Sequence, residues 1–520
     1  MIRRTGRNPQ SARNVRHTIS KLNLNHYIIQ ERMARRGNTV AYMFGILFLF
    51  LSISLLAPLI VAYSYGDDLN PWIYPLLITT LLSIPLLLRF QPADVTRPTE
   101  ALFVVTNAWL MAMVFGAIPY VMYGMGIVDA LFETMSGFTT TGSTIMFDIE
   151  SWPKSLLFWR SMTQWLGGAG IILVFVTIFP MLGVVGRTLA RREFSGIDVR
   201  HFTRRVQEES MKFHYIFIGL SVIQLLLLLL TGIGIYDSLT IMFSTLSTGG
   251  FSPYGGSISH YNSVVIEWIV IIFMFLAGVN FYLHFQAIRA RDRKAYWRNS
   301  EFRTYTIILV AASLVGSIIL WMESHSDILR TVTDSTFQMV SMMSSTGFAT
   351  VDFPLWNGPL LFILFLLTAI GGSTGSTAGG MKVVRIVLVK RFISNSVYKI
   401  VHPKAIFSIK LDSHTLTENA LTSMMAIIFC YMITVVIVSA SLIFMGLDPS
   451  TAISASISSV SNAGPALGEL GPFGTYGGLS DLAKVVLIFA MWAGRLEFLT
   501  VFALLTPVFW RELTRYRRRE

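Results

Sequence analysis

Long apolar runs alternate with short polar breaks along this chain, and a membrane-spanning helix needs about 20 apolar residues. Candidate spans fall at 40–63, 71–90, 101–124, 155–183, 213–235, 263–288, 304–322, 358–393, 418–446 and 482–509, the eighth interrupted by a polar stretch. Ten spans, an even number, put both termini on one side. Other apolar segments are too short to cross: DALFETMSGFT, YDSLTIMFSTLS, DILRTVTDSTFQMVSMMS and LDPSTAISASISSV. Each runs into glycine and hydroxyl residues: SGFTTTGSTIMF (Ser136 to Phe147), STLSTGGFS (Ser244 to Ser252), SSTGFATVD (Ser344 to Asp352) and SVSNAGPALG (Ser459 to Gly468).

The pattern is a fourfold repeat of apolar span, half-length segment, glycine-containing stretch and apolar span. The glycines that align are Gly142, Gly249, Gly347 and Gly464, roughly one hundred residues apart. Asp448 followed by Pro449 is a helix start, with an N-cap and a first-turn proline. About ten helical residues reach about 15 Å, to mid-bilayer, after which the chain returns as non-helical backbone. Such backbone is tolerated in a membrane only where protein buries it or where it lines a watery cavity. Four of these loops can meet on one axis and form a pore. The expected fold is therefore an all-α polytopic membrane protein. Four pseudo-repeated helix–pore helix–loop–helix units surround a central pore, preceded by two extra transmembrane helices. The expected boundaries are a basic arm at 1–39, a two-helix unit at 40–98 and pore repeats at 99–205, 206–300, 301–411 and 412–520, the last ending in a basic tail.

Composition agrees. Of 520 residues, 53% are hydrophobic and 13% charged, against about 25% charged in soluble domains; the mean hydropathy is +0.59. The net charge of +12 suggests nucleic acid until its placement is considered. Lys and Arg gather in the N-terminal arm, at 187–212, 289–303 and 382–410, and in the RYRRRE tail, all on one face. The opposite loops hold Asp67, Asp68, Asp148, Glu150, Glu323, Asp327, Asp352 and Glu469, with Lys154 and Arg330 as exceptions. Basic loops lie on the cytoplasmic side, and acidic outer loops concentrate cations. The N-terminal arm has no signal-peptide pattern and reads as a cytoplasmic topology determinant. The single cysteine, Cys430, reads as a small buried hydrophobe.

A cation entering a pore loses its hydration shell, and carbonyl oxygens of extended loops can replace it. Glycine permits the required backbone angles, and the negative C-terminal ends of the half-length helices favour a cation. Neutral oxygens suit a monovalent ion, since the four stretches contain no carboxylate. Simple helix packing through small residues is the bland alternative. The eighth span contains GGSTGSTAGG, residues 371–380, which cannot sustain a helix because each glycine costs about 1 kcal/mol against alanine. It matches no Walker spacing, so it reads either as a linker or as a mobile loop beneath the pore loops.

WRSMTQWLGGAGIILVFVTIFP (Trp159 to Pro180), FGAIPYVMYGMGIVDALFETMSGFTTTGST (Phe115 to Thr144) and MWAGRLEFLTVFALLTP (Met491 to Pro507) resemble the TrkH branch of the Trk/Ktr/HKT potassium transporters. The resemblance spans nearly the whole chain, and the extra first pair of spans favours this branch over the shorter KtrB relatives. It implies K⁺ uptake, with K⁺ as substrate and no covalent cofactor, and a multi-pass homodimer in the cell inner membrane with both termini cytoplasmic. It also implies a TrkA-like cytoplasmic nucleotide-binding regulatory ring, a separate chain. By this resemblance the selectivity filter consists of Thr140, Thr141, Gly142 and Ser143; Ser247, Thr248, Gly249 and Gly250; Ser345, Thr346, Gly347 and Phe348; and Asn462, Ala463, Gly464 and Pro465. Ala463 departs from the Thr-Gly core, so the pore need not be fourfold symmetric. Serine in place of the first-repeat glycine goes with sodium preference in HKT relatives; Gly142 favours potassium.

The resemblance also implies a gate made of Gly371, Gly372, Ser373, Thr374, Gly375, Ser376, Thr377, Ala378, Gly379 and Gly380, with Arg495 in the pore nearby. The other reading of Arg495 is an ion pair with a buried carboxylate. Arg160 and Glu267 are expected to snorkel or pair, and Asn280 and His284 to pack. The rival functions are a Na⁺- or H⁺-coupled alternating-access symporter and an intramembrane enzyme. The enzyme reading lacks a nucleophile–base pair or metal motif.

Overall fold

The computed structural model describes residues 36–91, 98–177, 199–289, 291–292, 294–324, 327–402, 410–412, 414–415 and 418–515. The basic arm before residue 36, the cluster at Arg187, Arg191 and Arg192, and residues 516–520 of the tail lie outside them.

Apolar sequence becomes helix because a helix satisfies its own backbone where water is absent. α1 (Thr39–Tyr65) and α2 (Asn70–Arg89) form an antiparallel pair at the start. They lock through Ser83 Oγ donating to the Gly45 carbonyl at 2.9 Å and through Ser52 Oγ donating to Thr79 Oγ1 at 2.8 Å. The first repeat is α3 (Pro98–Gly116) with its continuation α4 (Ile118–Met122), then α5 (Ile127–Phe138) and α6 (Lys154–Thr177). The second is α7 (Val199–Leu230), α8 (Ile235–Leu246), α9 (Val264–Ala277) and α10 (Phe281–Arg289). After α11 (Lys294–Arg298), the third is α12 (Ser300–Ser324), α13 (Ile328–Met343), α14 (Gly358–Ile370) and α15 (Val383–Val401). The fourth is α16 (Glu418–Phe444), α17 (Pro449–Ser461), α18 (Asp481–Arg495) and α19 (Phe498–Leu504), followed by α20 (Pro507–Arg515). Extended pairing among the described residues is confined to two-residue bridges at Arg36–Gly37 with Phe90–Gln91 and at Lys410–Leu411 with His414–Thr415.

The expected spans overlap these helices or broken pairs, and residues 178–183 of the fourth lie outside the described residues. Among the described residues six helical stretches are long and apolar enough to cross a membrane, and two more candidate spans are bent pairs. Continuous spans were expected at 263–288 and 482–509, but α9 and α10 meet at 98° and α18 and α19 at 114°. The breaks fall at Gly278–Asn280 and at Arg495–Glu497, short polar interruptions within otherwise apolar runs. With α14 and α15 separated by 371–380, the inner segments of the second, third and fourth repeats are all broken.

The half-length helices α5, α8, α13 and α17 are 12, 12, 16 and 13 residues long. Asp448 caps α17, accepting from the amides of Ser450 and Thr451 at 3.0 and 3.3 Å. Hydroxyls are buried on these helices within a largely apolar core: Thr134, Ser136, Ser244, Ser341 and Ser458 are fully buried. The rim is greasy, with Ile60, Leu81, Ile307 and Val436 each more than 60% exposed. A polytopic all-α membrane protein has such an apolar rim, because its outer solvent is hydrocarbon.

Ion pairs join neighbouring repeats. Glu267, the fourth residue of α9, meets Arg330, the third of α13, at 2.8 Å. Lys484, the fourth of α18, meets Asp129, the third of α5, at 2.5 Å. The two pairs are pseudo-symmetric with the signs reversed. Asp129→Ala leaves Lys484 buried and unpaired and is expected to cost about 3 kcal/mol, read as a lowered Tm of the detergent-purified protein. The swap Asp129→Lys with Lys484→Asp should recover part of that loss.

Candidate functional site

Each half-length helix ends in the same backbone figure. Thr140, Thr248, Ser345 and Asn462 turn left-handed, with φ of 54°, 55°, 55° and 54°. The next amide, of Thr141, Gly249, Thr346 and Ala463, donates to the carbonyl five residues back, on Ser136, Ser244, Ser341 and Ser458, at 2.8, 2.8, 2.8 and 2.9 Å. Then Gly142, Gly250, Gly347 and Gly464 take positive φ of 88°, 77°, 80° and 94°. Side chains other than hydrogen rarely tolerate that region, which explains the glycine.

This figure corrects the alignment of the second repeat. The residue equivalent to Gly142 is Gly250, not Gly249, so the second loop in register is Thr248, Gly249, Gly250 and Phe251, and Ser247 belongs to the helix end as its C-cap. Two adjacent glycines made the register ambiguous in sequence; only the second has positive φ.

The four loops close into a ring. A Cβ on Gly142 would overlap the Gly249 carbonyl oxygen, one on Gly250 the Thr346 oxygen, and one on Gly347 the Ala463 oxygen. A Cβ on Gly464 would lie 2.7 Å from the Thr141 oxygen. Each repeat thus abuts the next, and the fourth returns to the first. All four glycines line one cavity of about 40 Å³, together with Ser143, Pro465 and Arg160. The carbonyls of Thr141, Thr346 and Ala463 receive no hydrogen bond from any described residue, whereas Gly249 accepts one from Gln164.

The loops share backbone but not supports. In the first repeat the buried carboxylate of Glu133 accepts from Thr144 Oγ1 at 3.0 Å, the Ile145 amide at 2.9 Å and Arg160 Nε at 2.5 Å. Arg160 also donates to the Ser252 carbonyl at 2.8 Å and lies 3.7 Å from the Phe251 ring centre, so it ties the first repeat to the second. Ser341 Oγ donates to the Phe348 carbonyl at 2.7 Å, and Tyr476 OH to the Gly464 carbonyl at 2.8 Å. Asn462 Nδ2 donates to Thr141 Oγ1 at 3.0 Å, joining the fourth loop to the first.

Residues 371–380 lie directly against the ends of the half-length helices. The Gly380 amide donates to the Ser461 carbonyl at 2.9 Å, and the Gly379 amide to Ser345 Oγ at 2.6 Å. Thr377 Oγ1 donates to the carbonyls of Leu246 and Ala277 at 3.0 and 3.2 Å. Gly371 and Gly375 have positive φ, and Gly372, Ser373 and Gly375 exchange backbone hydrogen bonds with Val383, Gly278 and Phe281. Glu301 of α12 accepts from the amides of Thr374 and Val384 at 2.7 and 3.1 Å, pinning the loop and capping α15. Ser376 and Ala378 are buried within the loop, and Ala378 accepts from Lys382 Nζ.

Arg495 donates Nη1 to the Thr377 carbonyl at 2.8 Å; its Nε and Nη2 have no hydrogen-bond partner among the described residues. Arg495 forms no ion pair among the described residues. The carboxylate two residues on, Glu497, instead pairs with Arg385 at 2.8 Å. Arg160 and Glu267 are buried in ion pairs and do not snorkel. His284 is buried and bonded to Tyr296 OH and the Leu276 carbonyl, a structural role. Asn280 sits in the α9–α10 break, accepts from the Tyr282 amide and lies beside Gly375. Cys430 is only partly buried, not a core residue.

Sequence reasoning missed Glu133, Gln164, Ser341, Tyr476, Glu301, Arg385 and Glu497. Glu133 and Glu301 carried a usable signal, since an ionisable residue inside a membrane segment is a functional hypothesis by default. Glu133→Ala strands Arg160 in the interior and should destabilise by about 3–5 kcal/mol, measured as a fall in Tm.

A family model described as TrkH, cation transport protein, matches residues 77–508. The potassium uptake protein TrkH of Halomonas elongata is 33% identical over 474 residues, 90% of this chain and 98% of that one. TrkH of Escherichia coli K12 is 33% identical over 478 residues, with the same coverage. TrkG of Escherichia coli K12 is 28% identical over 478 residues, 91% of this chain and 98% of that one. The crystal structure of the potassium transporter TrkH from Vibrio parahaemolyticus superposes with a TM-score of 0.83 at 30% identity, covering 91% of this chain and 99% of that one. These relatives are named as transport proteins, not enzymes. Fold, ring of loops and similarity along nearly the whole chain agree, and the chain belongs to the TrkH family of cation transport proteins.

Proposed function

We propose that the protein takes up K⁺ across the bacterial inner membrane through a channel-like pore. The observation that carries this reading is the closed ring of four loops around one cavity. A K⁺ ion leaving water meets backbone carbonyls that replace its hydration shell. The C-terminal ends of α5, α8, α13 and α17 add negative potential there. The proposed filter is Thr140–Ser143, Thr248–Phe251, Ser345–Phe348 and Asn462–Pro465, the second loop taken in its structural register. The gate is residues 371–380 with Arg495, whose charge lies against the loop and raises the barrier for a cation. The basic faces are cytoplasmic, with both termini on that side, and the protein works as a homodimer regulated by a TrkA-like nucleotide-binding ring.

The broken inner segments of three repeats favour a second reading, a Na⁺- or H⁺-coupled alternating-access symporter, since transporter sites are often built from discontinuous helices. Single-channel currents from the reconstituted protein separate the two, because a symporter gives none.

Growth and Rb⁺ uptake in cells stripped of their own K⁺ systems test the function directly; expression without uptake defeats it. Gly142→Ser, which places a side chain against the Gly249 carbonyl, should lower the K⁺/Na⁺ ratio several-fold. Arg495→Ala should raise basal Rb⁺ flux several-fold, and an unchanged flux removes Arg495 from the gate.

A further inference from the structure

Gln164, the eleventh residue of α6, is fully buried and reaches across from the first repeat to the loop of the second. Its Nε2 donates to the Gly249 carbonyl at 2.6 Å, and its Oε1 accepts from the Phe251 amide at 3.0 Å. One side-chain amide thus brackets Gly250 from both sides. Gly249 does not have positive φ, so its backbone does not call for glycine. Space does: the three atoms nearest a Cβ built on Gly249 all belong to the Gln164 amide, which overlaps it.

The equivalent residues carry side chains. Thr141 Oγ1 hydrogen-bonds Thr139 Oγ1 at 2.8 Å, and Thr346 Oγ1 hydrogen-bonds Ser344 Oγ at 2.7 Å, each inside its own loop. In the second loop the Gln164 amide occupies the place where such a side chain would start. It also engages the Gly249 oxygen, while those of Thr141, Thr346 and Ala463 take no hydrogen bond from described residues. An oxygen that already accepts a hydrogen bond has a lone pair engaged and competes less well for a cation.

We propose that Gln164 is a specificity-determining residue, clamping the second loop and making the ring unequal, with three uncommitted carbonyls and one capped at the same level. This rests on the filter reading above. Gln164 acts through the loop and positions it, so its removal should change which ion passes more than how much protein folds.

The test uses the full chain in cells lacking their own K⁺ uptake, with the K⁺/Na⁺ permeability ratio as readout, because the ratio does not depend on expression. Gln164→Leu keeps the bulk and removes both hydrogen bonds; the ratio should shift several-fold from that of the unaltered protein. Gly249→Ala should lose most uptake by collision with Gln164, and Gln164→Ala combined with Gly249→Ala should regain it with a shifted ratio. If Gln164→Leu does not fold, the alanine pair still decides the matter. A Gln164→Leu ratio equal to the unaltered one, while Gly142→Ser shifts it, overturns the role of Gln164 alone. A double variant no better than Gly249→Ala also overturns it. If neither Gly142→Ser nor Gln164→Leu moves the ratio, the filter reading falls with it.

Discussion

Backbone that leaves a helix inside a membrane has no water to bond to, and the rest of this structure is arranged around four places where that happens. Each loop answers first with its own helix: one amide returns to a serine carbonyl five residues back, which fixes two left-handed turns around it. The loop then answers with its neighbour, since each glycine lies against the next loop's carbonyl. A loop of this kind is stable only as part of the ring. The outer helices, with their exposed leucines and isoleucines, serve to hold that ring in hydrocarbon.

The ring is symmetric in backbone and asymmetric in side chains. Glu133 with Arg160, Gln164, Ser341 and Tyr476 each support a different loop, through a carboxylate, an amide, a hydroxyl and a phenol. A buried charge needs a partner close by, and the described pairs inside the fold meet this by linking separate elements. Glu133–Arg160 joins a half-length helix to an inner helix, Glu267–Arg330 and Lys484–Asp129 join neighbouring repeats, and Arg385–Glu497 joins the third repeat to the fourth. The charges therefore register the repeats against one another as well as stabilising them.

The broken inner segments follow from the same constraint. Residues 371–380 carry non-helical backbone within the fold, and their amides and hydroxyls bond to Ser461, Ser345, Leu246 and Ala277 around the base of the ring. Lys382, just after this loop, and Glu497, in the α18–α19 break, both have positive φ, 77° and 58°. Non-glycine residues held there store strain that the surrounding packing must offset. Arg495 donates to the middle of the loop, so loop, strained breaks and charge form one connected unit.

What the sequence determined by itself was local. Span length, half-length segments, the Asp448–Pro449 start and the glycine at each loop are short-range features, dictated by backbone chemistry in hydrocarbon, and they were legible residue by residue. The non-helical character of 371–380 was legible for the same reason. Tertiary structure decided everything that depends on a distant partner. The clamp on the second loop comes from Gln164, 85 residues away from Gly249. α9 and α18 break where residues 371–380 pack against them, with the Phe281 amide donating to the Gly375 carbonyl and Arg495 to the Thr377 carbonyl. Glu133 was visible as an ionisable residue in a membrane segment, but its partner Arg160 became visible only with the fold, because a buried charge takes its meaning from what stands beside it.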